Sequence, residues 1–101
     1  MKTFIYIGRD SQNGAELRKQ IRDQHLAHLT PLNESGRVIF GGPLRDEDGN
    51  PCGSLIILQA EDLKDATAIA HADPYHREGV FESVEVFETL VVFPQQEDLT
   101  P

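Results

Sequence analysis

Ser54-Leu55-Ile56-Ile57-Leu58 is a short, almost wholly apolar run that begins directly after Gly53. A continuous apolar run of this length predicts a strand at the centre of a sheet, covered on both faces. The polar segment before it, residues 45–51, has Asp48-Gly49 at its tightest point and predicts a hairpin turn. The run is therefore expected to pair with the strand that precedes this turn.

The sequence before the turn predicts a strand, a long helix and a second strand. Residues 3–7 are rich in β-branched and aromatic side chains, which favours a strand. Gly36 is expected to end a helix that runs to about Ser35, and residues 37–40 form the next strand, which ends in Gly-Gly-Pro. Three residues offer side-chain oxygens that are suited to capping the start of this helix: Asp10, Ser11 and Asn13.

The sequence after the central strand predicts a second helix and a fourth strand. Asp62 is a suitable N-cap, and Pro74 is expected to end the helix near Asp73, because the residue before a proline is pushed out of the α region. Residues 83–93 have the alternating pattern of a strand. One face of this strand becomes apolar toward its end, at Phe87, Val91 and Phe93.

The order strand-helix-strand-strand-helix-strand is that of a ferredoxin-like α+β sandwich, an antiparallel four-stranded sheet with two helices on one face. We expect residues 1–93 to form this single domain and residues 94–101 to form a flexible tail or, alternatively, a swapped arm. Because both helices cover the same face, apolar residues on the other face need another subunit. The sequence therefore predicts a homodimer joined through the sheet, with higher assembly left open.

Length and composition indicate one domain of ordinary globular type. The 101 residues are 39% hydrophobic and 26% charged, which excludes a wholly disordered chain. A formal net charge of -8 argues against nucleic acid and anionic membranes as partners, since both demand clustered lysine and arginine. No apolar run approaches the roughly 20 residues that cross a bilayer, and the N-terminal residues turn polar too early for a signal peptide. The single cysteine, Cys52, fits the reducing cytoplasm, where we expect the protein.

Asp73 stands where a carboxylate is unexpected. The carboxyl end of a helix carries partial negative charge, which disfavours an acid there. Helical periodicity also brings Asp73 round to the apolar side of its helix. Together these features predict a basic partner elsewhere in the chain. The alternative is a local Asx turn before Pro74, in which the carboxylate accepts hydrogen bonds from nearby backbone amides.

Two histidines are candidates for that partner. His25 and His28 both fall within the apolar stripe of the first helix, and periodicity does not choose between them. A buried carboxylate that accepts from one ring nitrogen leaves the other nitrogen free to move a proton. The alternative is a packed histidine whose hydrogen bond is purely structural.

A metal site is not expected in this chain. His71, Asp73 and His76 are close in sequence, but Pro74 breaks the helical spacing between them. No second cluster of ligand residues accompanies these three side chains, so the pattern does not favour a metal centre.

The chain resembles the YCII-related (YciI-like) family of small dimeric ferredoxin-like proteins. This resemblance covers nearly the whole chain and is carried by six short motifs whose order and spacing are specific together. They are Arg22-Asp23-Gln24-His25-Leu26, Gly36-Arg37, Gly42-Pro43-Leu44, Gly53-Ser54-Leu55, Ala72-Asp73-Pro74-Tyr75 and Gly79-Val80.

The resemblance implies which residues form a functional site. The family pattern places an arginine three residues before its histidine, so Arg22 selects His25 over His28. The acid–base pair of the family then corresponds to His25 and Asp73. By the same comparison, the substrate pocket is lined by four residues: Arg22, Pro43, Ser54 and Tyr75.

The implied activity is proton abstraction without a cofactor, on a small cyclic or aromatic metabolite. An isomerase or a dehydrochlorinase-like lyase would carry out such a reaction with His25 and Asp73 as the general acid/base pair. Two alternatives stay open. One is a non-catalytic module that binds a small metabolite or has a regulatory role, and the other is a structural contact that ties the two helices together.

Overall fold

The structure is a computed structural model and describes residues 1–94. Its elements follow the predicted order, with one short helix added, and in chain order they are β1 (Lys2–Asp10), α1 (Gly14–Glu34), β2 (Val38–Arg45), β3 (Pro51–Ala60), α2 (Leu63–Ala72), α3 (Pro74–Arg77) and β4 (Phe81–Thr89). The predicted tail, apart from Pro94, lies outside the described residues. None of these helices has the length and hydrophobicity of a membrane span.

The four strands form one antiparallel sheet in the order β2-β3-β1-β4. With the helices on one face, this architecture is a ferredoxin-like α+β sandwich, and the predicted fold class is confirmed. The apolar run of residues 54–58 lies in β3, which is central because it pairs with both β2 and β1. On the face away from the helices, Leu55 and Ile57 of this strand are half-buried.

The core lies between the sheet and the helices. It is built from side chains of β1, β3 and α2 that are at most 1% exposed, namely Phe4, Tyr6, Ile56, Leu58, Ala60, Ala66 and Ala70. Burial at every second residue of β1 and β3 is the pattern of a sheet with one covered face. Each large apolar side chain buried in this way contributes about 1.5–3 kcal/mol to folding.

Helix α1 ends as the sequence predicts. Gly36 has a φ of 79°, a left-handed conformation that glycine adopts without steric cost. The amide of Gly36 donates to the carbonyl of Asn33, and the amide of Arg37 donates to the carbonyl of Leu32. This pair of hydrogen bonds is a Schellman motif, which satisfies carbonyls at the end of the helix that would otherwise lack partners.

The start of α1 differs from the prediction. Asn13 is the N-cap residue, but its side chain makes no capping hydrogen bond. Ser11 donates to the carbonyl of Gly79, and Asp10 forms an ion pair with Arg18. The side chains of Asp10 and Ser11 therefore bond to Arg18 and Gly79 instead of capping the first turn of α1.

Strand β2 is longer than predicted. It continues past Gly41, Gly42 and Pro43 to Arg45, whereas the sequence predicted a strand of residues 37–40 that ends in this Gly-Gly-Pro segment. Pro43 is tolerated because β2 is an edge strand, where one side of the backbone needs no partner from the sheet.

Strand β4 is shorter than predicted. It ends at Thr89, which pairs with Thr3 near the start of β1. Beyond this point β1 offers almost no further residues to pair with, so the alternating pattern of residues 90–93 does not produce a strand. Leu90 is 78% exposed and Phe93 is 85% exposed in this stretch.

Candidate active site

Asp73 occupies the junction between α2 and α3. It is the C-cap of α2 and the N-cap of α3, and Pro74 is the first residue of that short helix, which the sequence did not predict. The ψ angle of Asp73 is 125°, the extended conformation that a following proline favours. Its Oδ1 accepts a 2.9 Å hydrogen bond from the amide of Tyr75, so the local contact considered above is present. An acid that is disfavoured at the end of α2 is therefore favoured at the start of α3.

The Asp73 carboxylate is fully buried and accepts two further hydrogen bonds from distant side chains. Nδ1 of His25 lies 2.7 Å from Oδ1, and the hydroxyl of Tyr6 lies 2.7 Å from Oδ2. Burial alone would raise the pKa of Asp73. The hydrogen bonds from His25, Tyr6 and the Tyr75 amide outweigh this effect and hold the pKa of Asp73 below its usual value. The carboxyl group is therefore ionised inside the protein.

This ionised carboxylate determines how His25 carries its proton. Asp73 can only accept hydrogen bonds, so Nδ1 of His25 is the donor, and Nε2 of the neutral ring carries the lone pair. Among residues 1–94, Nδ1 of His76 is the one buried side-chain nitrogen or oxygen without a hydrogen-bond partner. Nε2 of His25 also has no hydrogen-bond partner in this part of the chain, and it is not among the buried atoms, so it is exposed at the cleft that His25 lines.

Tyr75 fixes the plane of the His25 imidazole. The two rings stack with their centroids 3.9 Å apart and their planes 2° from parallel. Phe81 of β4 supports Tyr75 from its edge, with centroids 5.6 Å apart. Burial raises the pKa of the Tyr75 phenol, although the guanidinium groups of Arg18 and Arg22 act in the opposite direction. Tyr75 therefore stays neutral at physiological pH and holds the imidazole in one orientation.

Arg18 connects this site to the sheet through a buried ion pair. Its Nε and Nη2 atoms lie 2.7 and 2.8 Å from the two carboxylate oxygens of Asp10, and Nη2 also donates to Ser54 Oγ at 3.0 Å. Burial lowers the pKa of Arg18, but the contacts with Asp10 outweigh it, so the pKa is raised overall. The carbon of the guanidinium lies 4.9 Å from the centroid of the Tyr75 ring. Arg18 thus fixes the hydroxyl of Ser54 and borders the ring that stacks on His25.

A cleft of about 1090 Å³ lies between α1 and the β2–β3 hairpin and includes His25 in its lining. The four residues predicted to line a pocket all border this cleft: Arg22, Pro43, Ser54 and Tyr75. Asp73 does not border it and lies behind His25 in the interior. The structure therefore brings all the predicted site residues together, with Asp73 reaching the cleft only through the imidazole.

The other histidines are arranged differently. Nε2 of His28 lies 2.9 Å from the carbonyl of Ile69, so this ring donates to the backbone of α2 and has a structural contact. His71 and His76 stack on each other with centroids 5.0 Å apart. Across residues 1–94, no three His, Cys, Asp or Glu side chains are grouped closely enough to hold a metal ion.

Comparison with known proteins identifies the family. Residues 1–90 match the YCII-related domain. The chain belongs to the YCII-related family. Protein YciI of Escherichia coli is 36% identical over 96 residues, which cover 89% of this chain and 98% of that protein. An uncharacterised protein of Haemophilus influenzae has the same identity and the same coverage.

One solved structure is similar to this YCII-related chain in both fold and sequence. It is the 5-chloro-2-hydroxyhydroquinone dehydrochlorinase TftG of Burkholderia phenoliruptrix AC1100, in complex with 2,5-dihydroxybenzoquinone. The TM-score is 0.77 at 25% identity, over 87% of this chain and 93% of that one. This YCII-related chain therefore shares its architecture with an enzyme that acts on a small molecule.

The sequence pattern did not indicate two residues of this site, Tyr6 and Arg18. Tyr6 belongs to the first predicted strand, where an aromatic residue on the covered face is expected to pack rather than to bind a carboxylate. Arg18 lies seven residues before His25, which is two helical turns, so it shares a face with His25. That spacing was a usable signal, but an arginine in an amphipathic helix is ordinarily assigned to the solvent side.

Proposed function

We propose that this protein is a cofactor-independent enzyme of the isomerase or lyase type, which moves a proton on a small cyclic or aromatic metabolite. His25 acts as general base and general acid through Nε2, and Asp73 orients the imidazole and stabilises its protonated form. One observation carries the proposal. A buried, ionised Asp73 lies 2.7 Å from His25 Nδ1, while the second nitrogen of the ring is accessible.

In the proposed reaction, Nε2 of His25 takes a proton from a carbon or a hydroxyl group of the substrate. The electron pair of the broken bond forms a new double bond in the substrate. In a lyase, the leaving group departs as an anion with its own bonding pair and His25 releases the proton to solvent, so the substrate loses one molecule of acid. In an isomerase, His25 returns the proton to another atom and the composition of the substrate is unchanged.

The other residues of the cleft are suited to holding such a substrate. Because Ser54 Oγ accepts from Arg18, its own hydrogen is free to bond to a substrate oxygen. Pro43 lies opposite Ser54 in the sheet register and forms a wall of the cleft. Tyr75 offers an aromatic ring beside the imidazole. Ser54 and Pro43 together present one hydrogen-bond donor and one apolar surface near the proposed base, while the Tyr75 ring holds the imidazole in place.

The comparison with TftG supports the lyase reaction within this proposal. Dehydrochlorination is the loss of hydrogen chloride, which is an elimination of the kind described above. The compound bound in that structure, 2,5-dihydroxybenzoquinone, is a small ring with oxygen substituents. A molecule of this class matches the chemistry that we propose for the cleft.

The experiment that tests the proposal is turnover of a panel of chlorinated hydroquinones and cyclic lactones, beginning with 5-chloro-2-hydroxyhydroquinone. Chloride release and the absorbance of the product are followed with the full chain. We expect His25→Asn to lower kcat by about 10²- to 10⁴-fold. His28→Asn is the matched control, because His28 bonds to the carbonyl of Ile69 and does not border the cleft.

The outcomes separate the three interpretations. Equal turnover by the wild type and His25→Asn would overturn the role of His25 as the base. A compound that binds in the cleft without turnover would favour the metabolite-binding module. A His25→Asn variant that loses activity only in proportion to its loss of folded protein, measured by circular dichroism, would support a structural contact between the helices.

A further inference from the structure

The charges that line the cleft are opposite in sign to the charge of the chain. The protein has 17 acidic residues against nine lysines and arginines, for a net charge of -8. Among the described residues, three of those nine cations border the cleft, and they are Arg18, Lys19 and Arg22. Asp46 is the one carboxylate in the same lining. A positively charged cleft on an acidic protein points to a ligand that carries negative charge.

These charges are not equally available to a ligand. Arg18 is neutralised by its ion pair with Asp10. Lys19 lies 3.5 Å from Glu16 in an exposed pair, which holds the ammonium only weakly. Arg22 forms no ion pair or side-chain hydrogen bond with any residue from 1 to 94. Arg22 is therefore the cation with its full hydrogen-bonding capacity left for a ligand.

Asp46 keeps its negative charge but is held within the hairpin loop. Its Oδ1 accepts hydrogen bonds of 3.0 Å from the amides of Asp48 and Asn50, which close the hairpin turn between β2 and β3. The carboxylate therefore has partners in its own loop.

The positive charges of the cleft lie on one side of His25 along α1, and uncharged residues lie on the other. Arg22 precedes His25 by three residues, which is about 4.5 Å along the helix axis, and Leu29 follows it by four residues, about 6 Å. The apolar residues of the lining include Leu26, Leu29, Val38, Ile39 and Ile56. His25 therefore lies between a free cation on one side and an apolar surface on the other, each about one helical turn away.

We propose that the ligand of this cleft is a small oxyanion, a carboxylate or an ionised phenol, joined to an apolar or aromatic ring. Arg22 binds the oxyanion, and the ring extends past His25 toward Leu29. Arg22 and His25 project from positions about one helical turn apart, so a ligand of one six-membered ring with its charged substituent is long enough to contact both side chains. Bidentate hydrogen bonds from a guanidinium to a carboxylate would fix the ligand in this orientation.

This assignment rests on the proposed function only for the statement that the reacting atom lies at His25. The charge preference itself is a binding property and does not require turnover. In the proposed enzyme, the same guanidinium would also stabilise the negative charge that develops as the proton leaves the substrate.

The test is an NMR titration of the full chain with benzoate and with its neutral analogue benzamide. We expect benzoate to shift the amide signals of Arg22, His25 and Ser54 in a saturable way, with affinity at least tenfold higher than that of benzamide. Arg22→Gln is expected to lower the affinity for benzoate by about tenfold or more, because one charge-assisted contact is worth about 1.5–3 kcal/mol. A parallel titration with 4-nitrophenol, below and above the pH at which it ionises, shows whether a phenolate is bound as well as a carboxylate.

Arg77→Gln is the matched control, since it removes one exposed arginine from α3 without changing the cleft lining. Equal affinity for benzoate and benzamide, no saturable shift with benzoate, or equal losses in Arg22→Gln and Arg77→Gln would each overturn the assignment. Benzoate binding that depends on Arg22, together with no turnover of any compound, would uphold the ligand class while contradicting the proposed enzyme.

Discussion

Tyr6 and Asp73 are 67 residues apart in the sequence and share a 2.7 Å hydrogen bond that lies inside the protein. Tyr6 is 1% exposed and Asp73 is 0% exposed, so water does not substitute for this contact. Tyr6 approaches the carboxylate from the sheet, whereas His25 approaches it from α1. The strand therefore takes part in fixing the side chain that orients the proposed base.

Replacing Tyr6 by phenylalanine is expected to destabilise the fold measurably. The change removes only the hydroxyl and leaves Oδ2 of Asp73 without its side-chain donor, which costs about 1–3 kcal/mol when a buried polar group loses its partner. Urea denaturation of the wild type and Tyr6→Phe at pH 7 measures this difference. A change in the free energy of unfolding below about 0.5 kcal/mol would mean that the hydrogen bond contributes nothing of note.

The pKa of Tyr6 predicts that the protein loses stability in alkaline solution. Burial, with the charge of Asp73 and the hydrogen bond to it, raises the pKa of Tyr6 well above the ordinary value of 10.0. Above pH 10 the unfolded chain therefore releases this proton while the folded chain retains it, so the free energy of unfolding falls as the pH rises. Denaturation curves between neutral pH and pH 11 should show a shallower fall for Tyr6→Phe. Identical slopes in the two proteins would contradict the prediction.

The pKa of Asp73 predicts that the protein loses stability as the pH falls in acid solution. Its folded-state pKa lies below the ordinary value of 3.8, so the stability that it contributes is present above that value. This contribution is lost as the pH falls through the folded-state pKa, because the unfolded chain takes up the proton first. Asp73→Asn cannot titrate, and the difference in unfolding free energy between the wild type and this variant should shrink as the pH is lowered from 5 to 2. A difference that stays constant over this range would show that the carboxylate is not stabilised in the folded state.

The ion pair between Arg18 and Asp10 is expected to be sensitive to the loss of one partner. Their side chains are only 10% and 7% exposed, so Arg18→Met leaves a buried carboxylate without its cation, at a cost of about 3–5 kcal/mol. The double variant Arg18→Met, Asp10→Asn should recover much of this loss. The matched control is Arg9→Met, because Arg9 pairs with Glu85 at 3.2 Å on the surface, where such pairs contribute about 1 kcal/mol or less. Similar losses for the two arginine variants would contradict the structural role of Arg18.

The parts of the fold that local chemistry controls could be predicted from the sequence. Gly36 and Pro74 end their helices where expected, since the conformations of glycine and proline depend little on distant contacts. The end of β4 depends on its neighbour instead. The alternating pattern of residues 83–93 contains no sign that β1 starts at Lys2 and offers no partners beyond that point.

The candidate site shows the same division between local and distant causes. Periodicity places His25 and His28 on the covered side of α1, but the partner of Asp73 depends on where the junction of α2 and α3 crosses that helix. The structure brings His25 to the carboxylate and gives His28 the carbonyl of Ile69. The motif containing Arg22 indicated the same histidine, whereas the contribution of Tyr6 required the sheet register to be known.

The open face of the sheet leads to a proposal about assembly. We propose that two copies of the chain pair through this face, as expected from the apolar residues that the helices leave uncovered. Ile5 of β1 is in register with Ile57 of β3 and with Phe87 of β4, so these side chains form a continuous apolar row away from the helices. Phe87 is 50% exposed within this row. An apolar surface of this kind is ordinarily covered by another subunit.

Light scattering coupled to size-exclusion chromatography measures this assembly. We expect the wild type to have about twice the 11.3 kDa mass of one chain. Phe87→Glu should shift the protein toward the monomer, because pairing would bury the new charge against apolar side chains. Leu63→Glu is the matched control, since Leu63 is 51% exposed but lies on α2, on the side of the sheet that the helices cover. A monomeric wild type, or a Phe87→Glu variant that stays dimeric while Leu63→Glu dissociates, would contradict pairing through the sheet.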